Sequence, residues 1–345
     1  MRKESVMAVI ALLALAGCAE NELQEQASVD AVAIRIGQKV EGIVTSRAAI
    51  NDGSTVSAKV LMTGATTGGN AADWSGFSAV TSNTLTPGTG GTMGLTARAN
   101  VSIATFIAGS TAQPMTLNPT LYYSNDESGS APTHTWLAAV APDGTLNGTT
   151  VTFGAKDGTV DAMYAAAADA GIKTSPTNPF NLTFVHKTTQ IKFAIKITQA
   201  AGTGEWDGKV VGVNKIELND AQVPDKMDAI NGNVSWTSAA ALSIPNISSA
   251  ALTSTATPVG DPVMVKDKSQ TTVNVTLSVG GAPLSFSNIP VTSGSGNLVT
   301  EIGKSHLVTL NVNEPAAAGD GSVIINASAT VTPWVSGNEG TADLN

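Results

Sequence analysis

The chain has 345 residues, of which 13% are charged and 4% aromatic, and it carries a net charge of −9. That balance excludes a nucleic-acid binder, whose phosphates call for a basic face. The length predicts about two domains. Abundant Gly, Ala, Ser and Thr with few aromatics predict many short strands joined by polar turns. Cys18 is the single cysteine, so core packing and strand ladders must hold the fold without an intrachain disulfide.

Arg2 and Lys3 come first, followed by the apolar run "VMAVIALLALAG". The run is shorter than the ~20 residues that span a bilayer, so it reads as a secretory signal peptide. Leu15-Ala16-Gly17-Cys18 resembles the bacterial lipobox. The resemblance implies a signal peptide over 1–17, cleavage before Cys18, and lipid chains on the thiol and the new amino group of Cys18. Each buried methylene of an acyl chain adds about 0.8 kcal/mol, and several chains give stable anchoring. The alternative is a buried free thiol behind an ordinary signal peptide. Glu20 and Glu22 resemble the acidic tether that directs Bacteroidetes lipoproteins to the outer face of the outer membrane.

From about residue 30 the pattern has period 2. Val56, Ala58, Val60 and Met62 alternate with Thr, Ser and Lys as far as Leu61, and Val101 and Ile103 alternate with Ser102 and Ala104. Val273, Val275, Leu277 and Val279 repeat the scheme, as do His306, Val308, Leu310 and Val312. Such alternation predicts half-buried strands, and "NDG", "PDG", "NGN" and "GGAP" predict the turns between them. One short helix is predicted over Asp161–Gly171, "DAMYAAAADAG", with Asp at its start and Gly at its end.

Within "FNLTFVHKTTQIKFAIKI" the apolar parity changes. Phe180, Leu182 and Phe184 are even, whereas Ile191, Phe193, Ile195 and Ile197 are odd. A β-bulge or tight reversal is predicted between His186 and Gln190, with His186 inward as a structural histidine. The Gly-rich stretch over 198–209 predicts the domain boundary. The expected division is a tether and first strand over 18–47, an N-terminal β-sandwich over 48–203 and a C-terminal β-sandwich over 204–345.

The sequence offers no catalytic set. His134, His186 and His306 are isolated from one another, and no nucleophile elbow, zinc-protease helix or phosphate-binding loop occurs. "DGTLNG" and "NDESGS" lack EF-hand spacing and read as turns. The expectation is no enzyme, no metal and no cofactor.

Together these landmarks resemble the fimbrillins, the pilin-like lipoproteins of Bacteroidales. The lipobox with Cys18, "AVAIRIG" before "VTSRAAI", and "LYYSNDESGSAPTHTWLAAVAPDG" fall in the family's order. "DAMYA", the Phe-x-His strand in "NLTFVHKTTQIKFAIKI", and "VIINASATVTPWVSG" with Trp334 follow. His306 departs from the pattern, where an aromatic is more usual. The resemblance implies an all-β fold of two tandem, transthyretin-like β-sandwich domains and a surface polymer of such subunits. It implies that an arginine-specific protease removes the N-terminal segment. A C-terminal strand from a neighbour then fills the vacated groove by strand addition.

After Cys18 three arginines remain, Arg35, Arg47 and Arg98. Arg35 lies in an alternating strand and Arg98 directly before one. Arg47, followed by Ala48, lies among small residues before a turn, the setting that proteolysis favours; a solvated loop charge is the alternative. Val323, Ile325, Ala327, Ala329 and Val331 share one face of the last strand, ahead of Trp334, and are the expected donor residues. The alternative is an ordinary strand of its own domain. Two other roles stay open, an accessory, anchor or tip subunit and a surface glycan-binding lipoprotein.

Overall fold

The computed structural model describes residues 31–41, 50, 52–65, 71–87, 93–123, 133–177, 180–199, 204–315 and 324–333, with the backbone alone at 86–87, 93–94, 324 and 331–333. These residues form strands and turns without a helix. In the first half are β1 (Gly37–Val40), β2 (Thr55–Gly64), β3 (Thr84–Pro87), β4 (Met93–Ala97), β5 (Val101–Ile107), β6 (Gln113–Pro114), β7 (Thr116–Asn118), β8 (Thr135–Ala141), β9 (Thr145–Asn147), β10 (Thr150–Thr152), β11 (Met163–Ile172), β12 (Ser175–Pro176) and β13 (Asn181–His186). In the second are β14 (Thr189–Thr198), β15 (Val211–Ala221), β16 (Pro224–Asp228), β17 (Val234–Trp236), β18 (Ala240–Ser243), β19 (Thr257–Val265), β20 (Thr272–Val279), β21 (Ala282–Ser293), β22 (Gly296–Asn297), β23 (Lys304–Asn313) and β24 (Ile324–Pro333). The protein is all-β in two units, each built on a nine-stranded sheet.

The first sheet runs β6-β1-β13-β11-β8-β2-β5-β7. Its two ends belong to one short segment, since β6 pairs with β1 and β7 pairs with β5. The sheet therefore curls until its ends meet. Inside lie Val56, Phe106, Leu121, Leu137 and Phe184, with the rings of Phe106 and Phe184 stacked 5.3 Å apart. A second cluster on the outer face, including Leu61, Val140, Val151 and Tyr164, is covered by a small sheet of order β17-β16-β10-β9. That sheet draws strands from both halves of the chain, and Met227 and Ala229 from the second half join its cluster.

The second sheet runs β18-β15-β20-β21-β24-β23-β14-β19. The twelve-residue β21 first pairs with β20 and then, at Val291 and Thr292, with β24. Its register shifts opposite Val273 and Val275, where Asn288 takes φ 58°. Asn tolerates that left-handed conformation, and such a bulge bends the strand from one layer to the other. The two layers enclose Ile191, Phe193, Ile216, Leu277, Val308 and Leu310.

Four expectations change. Asp161–Gly171 is not a helix; Met163–Ile172 is a strand between β8 and β13. Ala165 faces the inner core and Ala162 and Tyr164 the outer cluster, so small side chains suit a strand covered on both sides and override Ala's helix preference. In β5 the inward residues are Ser102, Ala104 and Phe106, while Ile103 is 43% exposed. Between His186 and Gln190 there is neither a bulge within one strand nor a reversal. Lys187 and Thr188 carry the chain from the first sheet to the second. β14 therefore lies in the second sheet, although the division at 203/204 assigns it to the first domain. The parity change marks the passage between two cores rather than an irregularity in one.

Candidate assembly interface

The first described segment, 31–41, is extended and seated inside the sheet. Ile34, Ile36, Gln38 and Val40 are buried and Arg35 is exposed. Regular strand begins only at Gly37, with one isolated bridge at Ala33. On one side β1 runs parallel to β13, Gly37 opposite Asn181 and Val40 opposite Phe184. A side chain at Gly37 would collide with Asn181, since an added Cβ would come within 2.0 Å of its Oδ1. On the other side the segment binds 109–123. Ile34 N donates to Leu121 O at 2.8 Å, Val40 N donates to Gly109 O at 2.9 Å and Met115 N donates to Ile36 O at 2.9 Å. Both edges are thus used from Gly37 onward, where Gly37 N donates to Phe180 O at 2.8 Å, and Arg35 lies between two residues, Ile34 and Ile36, that are bonded to 109–123.

Gln38 is the exception in the apolar row. It is fully buried. Its Nε2 donates to Ile107 O at 2.8 Å, whereas its Oε1 has no partner among the described residues. The sequence displays Gln38 as a polar residue at an inward position, but only the burial singles it out.

The terminal strand β24 lies between β23 and β21. It pairs with β23 over ten residues, from Ile324 opposite Asn313 to Pro333 opposite Lys304. With β21 it pairs only at Ala327 and Ser328. Ile325 and Ala327 are buried in the core of this unit and Ala329 packs against it. The backbone of Val331 faces His306. Cys18, Arg47, Ala48, Val323 and Trp334 fall outside the described residues.

At the crossover between the units His186 is buried, and its Nδ1 donates to Asp161 Oδ1 at 2.9 Å. The Thr188 hydroxyl donates to the same oxygen at 3.2 Å. The three residues fix the chain where it changes sheets, with the Thr188 hydroxyl and the His186 ring both held by one Asp161 oxygen. Among the described residues no group of three His, Cys, Asp or Glu could hold a metal ion, and no helix is long and apolar enough to cross a membrane.

A cleft of about 400 Å³ opens at the end of β2 and β8, lined by Phe77, Ser78, Arg98, Asn100, Tyr122 and His134 among others. His134 Nδ1 meets Asp169 Oδ2 at 2.7 Å, a long-range pair that the sequence does not display. Arg98 is half-buried, and burial lowers its pKa from the ordinary value, although a guanidinium keeps its charge. No hydrogen bond or ion pair ties Arg98 to another described residue.

The arrangement is that of an all-β fold of two units, each built on a nine-stranded sheet. A solved protein described as a cell adhesion protein from Bacteroides uniformis aligns with a TM-score of 0.51 at 16% identity, covering 88% of this chain and 98% of that one. One from Bacteroides ovatus gives 0.47 at 13% identity, covering 89% and 99%. A fimbrilin from Porphyromonas gingivalis gives 0.40 at 10%, covering 88% and 98%. No curated protein matches the sequence. The sequence profile of the fimbrillin-like family matches residues 63–334, well over half of the chain. The chain belongs to the fimbrillin-like family.

Proposed function

We propose that this chain is a structural, non-catalytic subunit of cell-surface fimbriae that supports adhesion and assembles by strand exchange. The subunit reaches the outer membrane on lipid at Cys18. An arginine-specific protease cuts between Arg47 and Ala48. The segment before the cut leaves its seat between β6 and β13, and the terminal strand of a neighbouring subunit takes it. The observation that carries this reading is the seat of residues 31–41. It is a mid-sheet slot with two hydrogen-bonding edges and an apolar floor, filled by the segment just before Arg47.

The donor is β24, through Ile325, Ala327, Ala329 and Val331, with Val323 and Trp334 at its ends. In the uncut subunit β24 is stored in its own sheet, bonded along its whole length to β23 but to β21 at only two residues. Donation therefore means transfer out of that place.

Three results test the reading. The first residue of the surface form should be Ala48. Arg47→Ala should abolish high-mass ladders, and Cys18→Ala should abolish palmitate labelling and membrane association. Arg47→Ala subunits that polymerise like the parent would overturn the assembly model.

The Arg98 cleft favours a second reading, a tip or accessory subunit or a glycan-binding surface protein. A half-buried cation beside Tyr122, Phe77 and Ser78 suits a carboxylated sugar. Calorimetric titration with glucuronate, compared between the parent and Arg98→Ala, tests it. A surface form that still begins before residue 31 would favour this role over that of a shaft subunit.

A further inference from the structure

We infer that Gln38 sets how readily the first strand leaves its slot, and thereby times subunit assembly. The inference rests on the strand-exchange reading above. Along the inward face of 31–41, Ile34, Ile36 and Val40 are apolar and only Gln38 is polar. Its amide is fully buried, lies opposite Leu182 of β13 and Gln113 of β6, and reaches across the curled sheet to Ile107 O at 2.8 Å.

Two effects follow from one side chain. The Nε2 bond gives the strand a polar anchor that fixes its register, since a one-residue slip would turn the amide outward. The Oε1 has no partner among the described residues, so the strand carries a desolvated acceptor that water would satisfy once the strand is released. While the segment remains joined to residue 48 onward, a released strand stays tethered beside its slot and rebinds. After a cut at Arg47 that restraint is gone, and the orphaned oxygen favours departure. The described inward residues of the proposed donor, Ile325, Ala327 and Ala329, include no polar side chain. A neighbour's strand in the same slot would bury no unsatisfied amide. Gln38 thus makes the resident strand the weaker of two occupants without loosening the other residues of its row.

The test uses the full chain with low-dose trypsin as the cutting probe, comparing the parent with Gln38→Met and Gln38→Leu. Uncut melting, retention of the N-terminal peptide on the cut subunit and the rate of ladder formation are each measured. Both variants lose the Nε2 bond to Ile107 O together with the orphaned acceptor; because a buried unmet acceptor costs more than one neutral hydrogen bond contributes, the uncut melting temperature should rise, peptide retention should lengthen several-fold and ladders should slow in proportion. Two variants of different shape separate the missing amide from a packing accident. If both melt higher but release the peptide at the parental rate, Gln38 is only a core residue and the inference is overturned. If the parent forms ladders and both variants match its rate, the inference alone falls. If the cut parent forms no ladders, the strand-exchange reading falls and the inference with it.

Discussion

Truncation of Ile325 to Ala in the uncut subunit should lower the melting temperature of the second unit by about 5–10 °C. Ile325 is 8% exposed and packs in the core that β14, β20 and β23 build. Removing a buried Ile side chain to Ala costs about 2–5 kcal/mol, depending on how far the site relaxes. Ile325 lies near the start of β24, on the stretch that β21 leaves uncovered. The lower part of that range, about 2–3 kcal/mol, therefore applies. In a unit of about 150 residues each kcal/mol moves the midpoint by about 2–4 °C. Scanning calorimetry resolves the effect if the two units give separate transitions. Ala327→Asp is the stronger companion, since it buries an unpaired charge in the same core and should abolish the second transition. A midpoint for Ile325→Ala within about 2 °C of the parent would refute the reasoning, because β24 would then not be housed in its own sheet before assembly.

Other outcomes follow from single sites. Burial pulls the His306 imidazole below its ordinary pKa, with Glu301 opposing and Lys304 reinforcing. The unfolded chain therefore takes up this proton first as pH falls below about 6.5, and stability present above that pH is lost on acidification. His306→Phe should flatten the fall of melting temperature between pH 7 and 5, and an unchanged slope would count against this account. Asp161→Ala removes the shared acceptor of His186 and Thr188 and should cost about 1–3 kcal/mol in denaturant unfolding. Gly171 has φ +85° and an added Cβ would come within 2.6 Å of Ser175 O, so Gly171→Ala should destabilise the first unit by more than about 1 kcal/mol, read from the same titration.

Much of the strand content is legible because period-2 alternation reports which face of a strand is covered. Phe180, Leu182 and Phe184 on one parity and Ile191, Phe193, Ile195 and Ile197 on the other are all buried as the pattern demands. Alternation does not say which sheet a strand joins, so the passage at Lys187 and Thr188 stays hidden behind an apparent irregularity. β5 is ambiguous because Val101 and Ile103 compete with Ala104 and Phe106 for the inward face. Val101 then finds cover on the outer cluster, leaving Ile103 in solvent. The Ala-rich strand β11 misleads because Ala's helix preference is local, while the need for small residues between two cores is set by strands far away in sequence. The same holds for the candidate sites. Arg98 gains its surroundings, and His134 meets Asp169, only through the fold. Gln38 is visible as a letter but acquires meaning from burial.

The small sheet shared by the two halves has a mechanical consequence. A pull along the chain does not pass through Lys187 and Thr188 alone. Thr150, Val151 and Thr152 are laddered to Asp228, Met227 and Lys226, the Lys156 ammonium lies 2.6 Å from Asp225 Oδ1, and Met264 N donates to Gly158 O at 2.7 Å. These links lie in parallel with the covalent connection. Load applied at one unit is shared before the other begins to turn, and bonds in a ladder sheared along its strands must yield together rather than singly. In a filament dragged by flow, such a subunit would transmit tension as one stiff rod instead of two beads on a swivel.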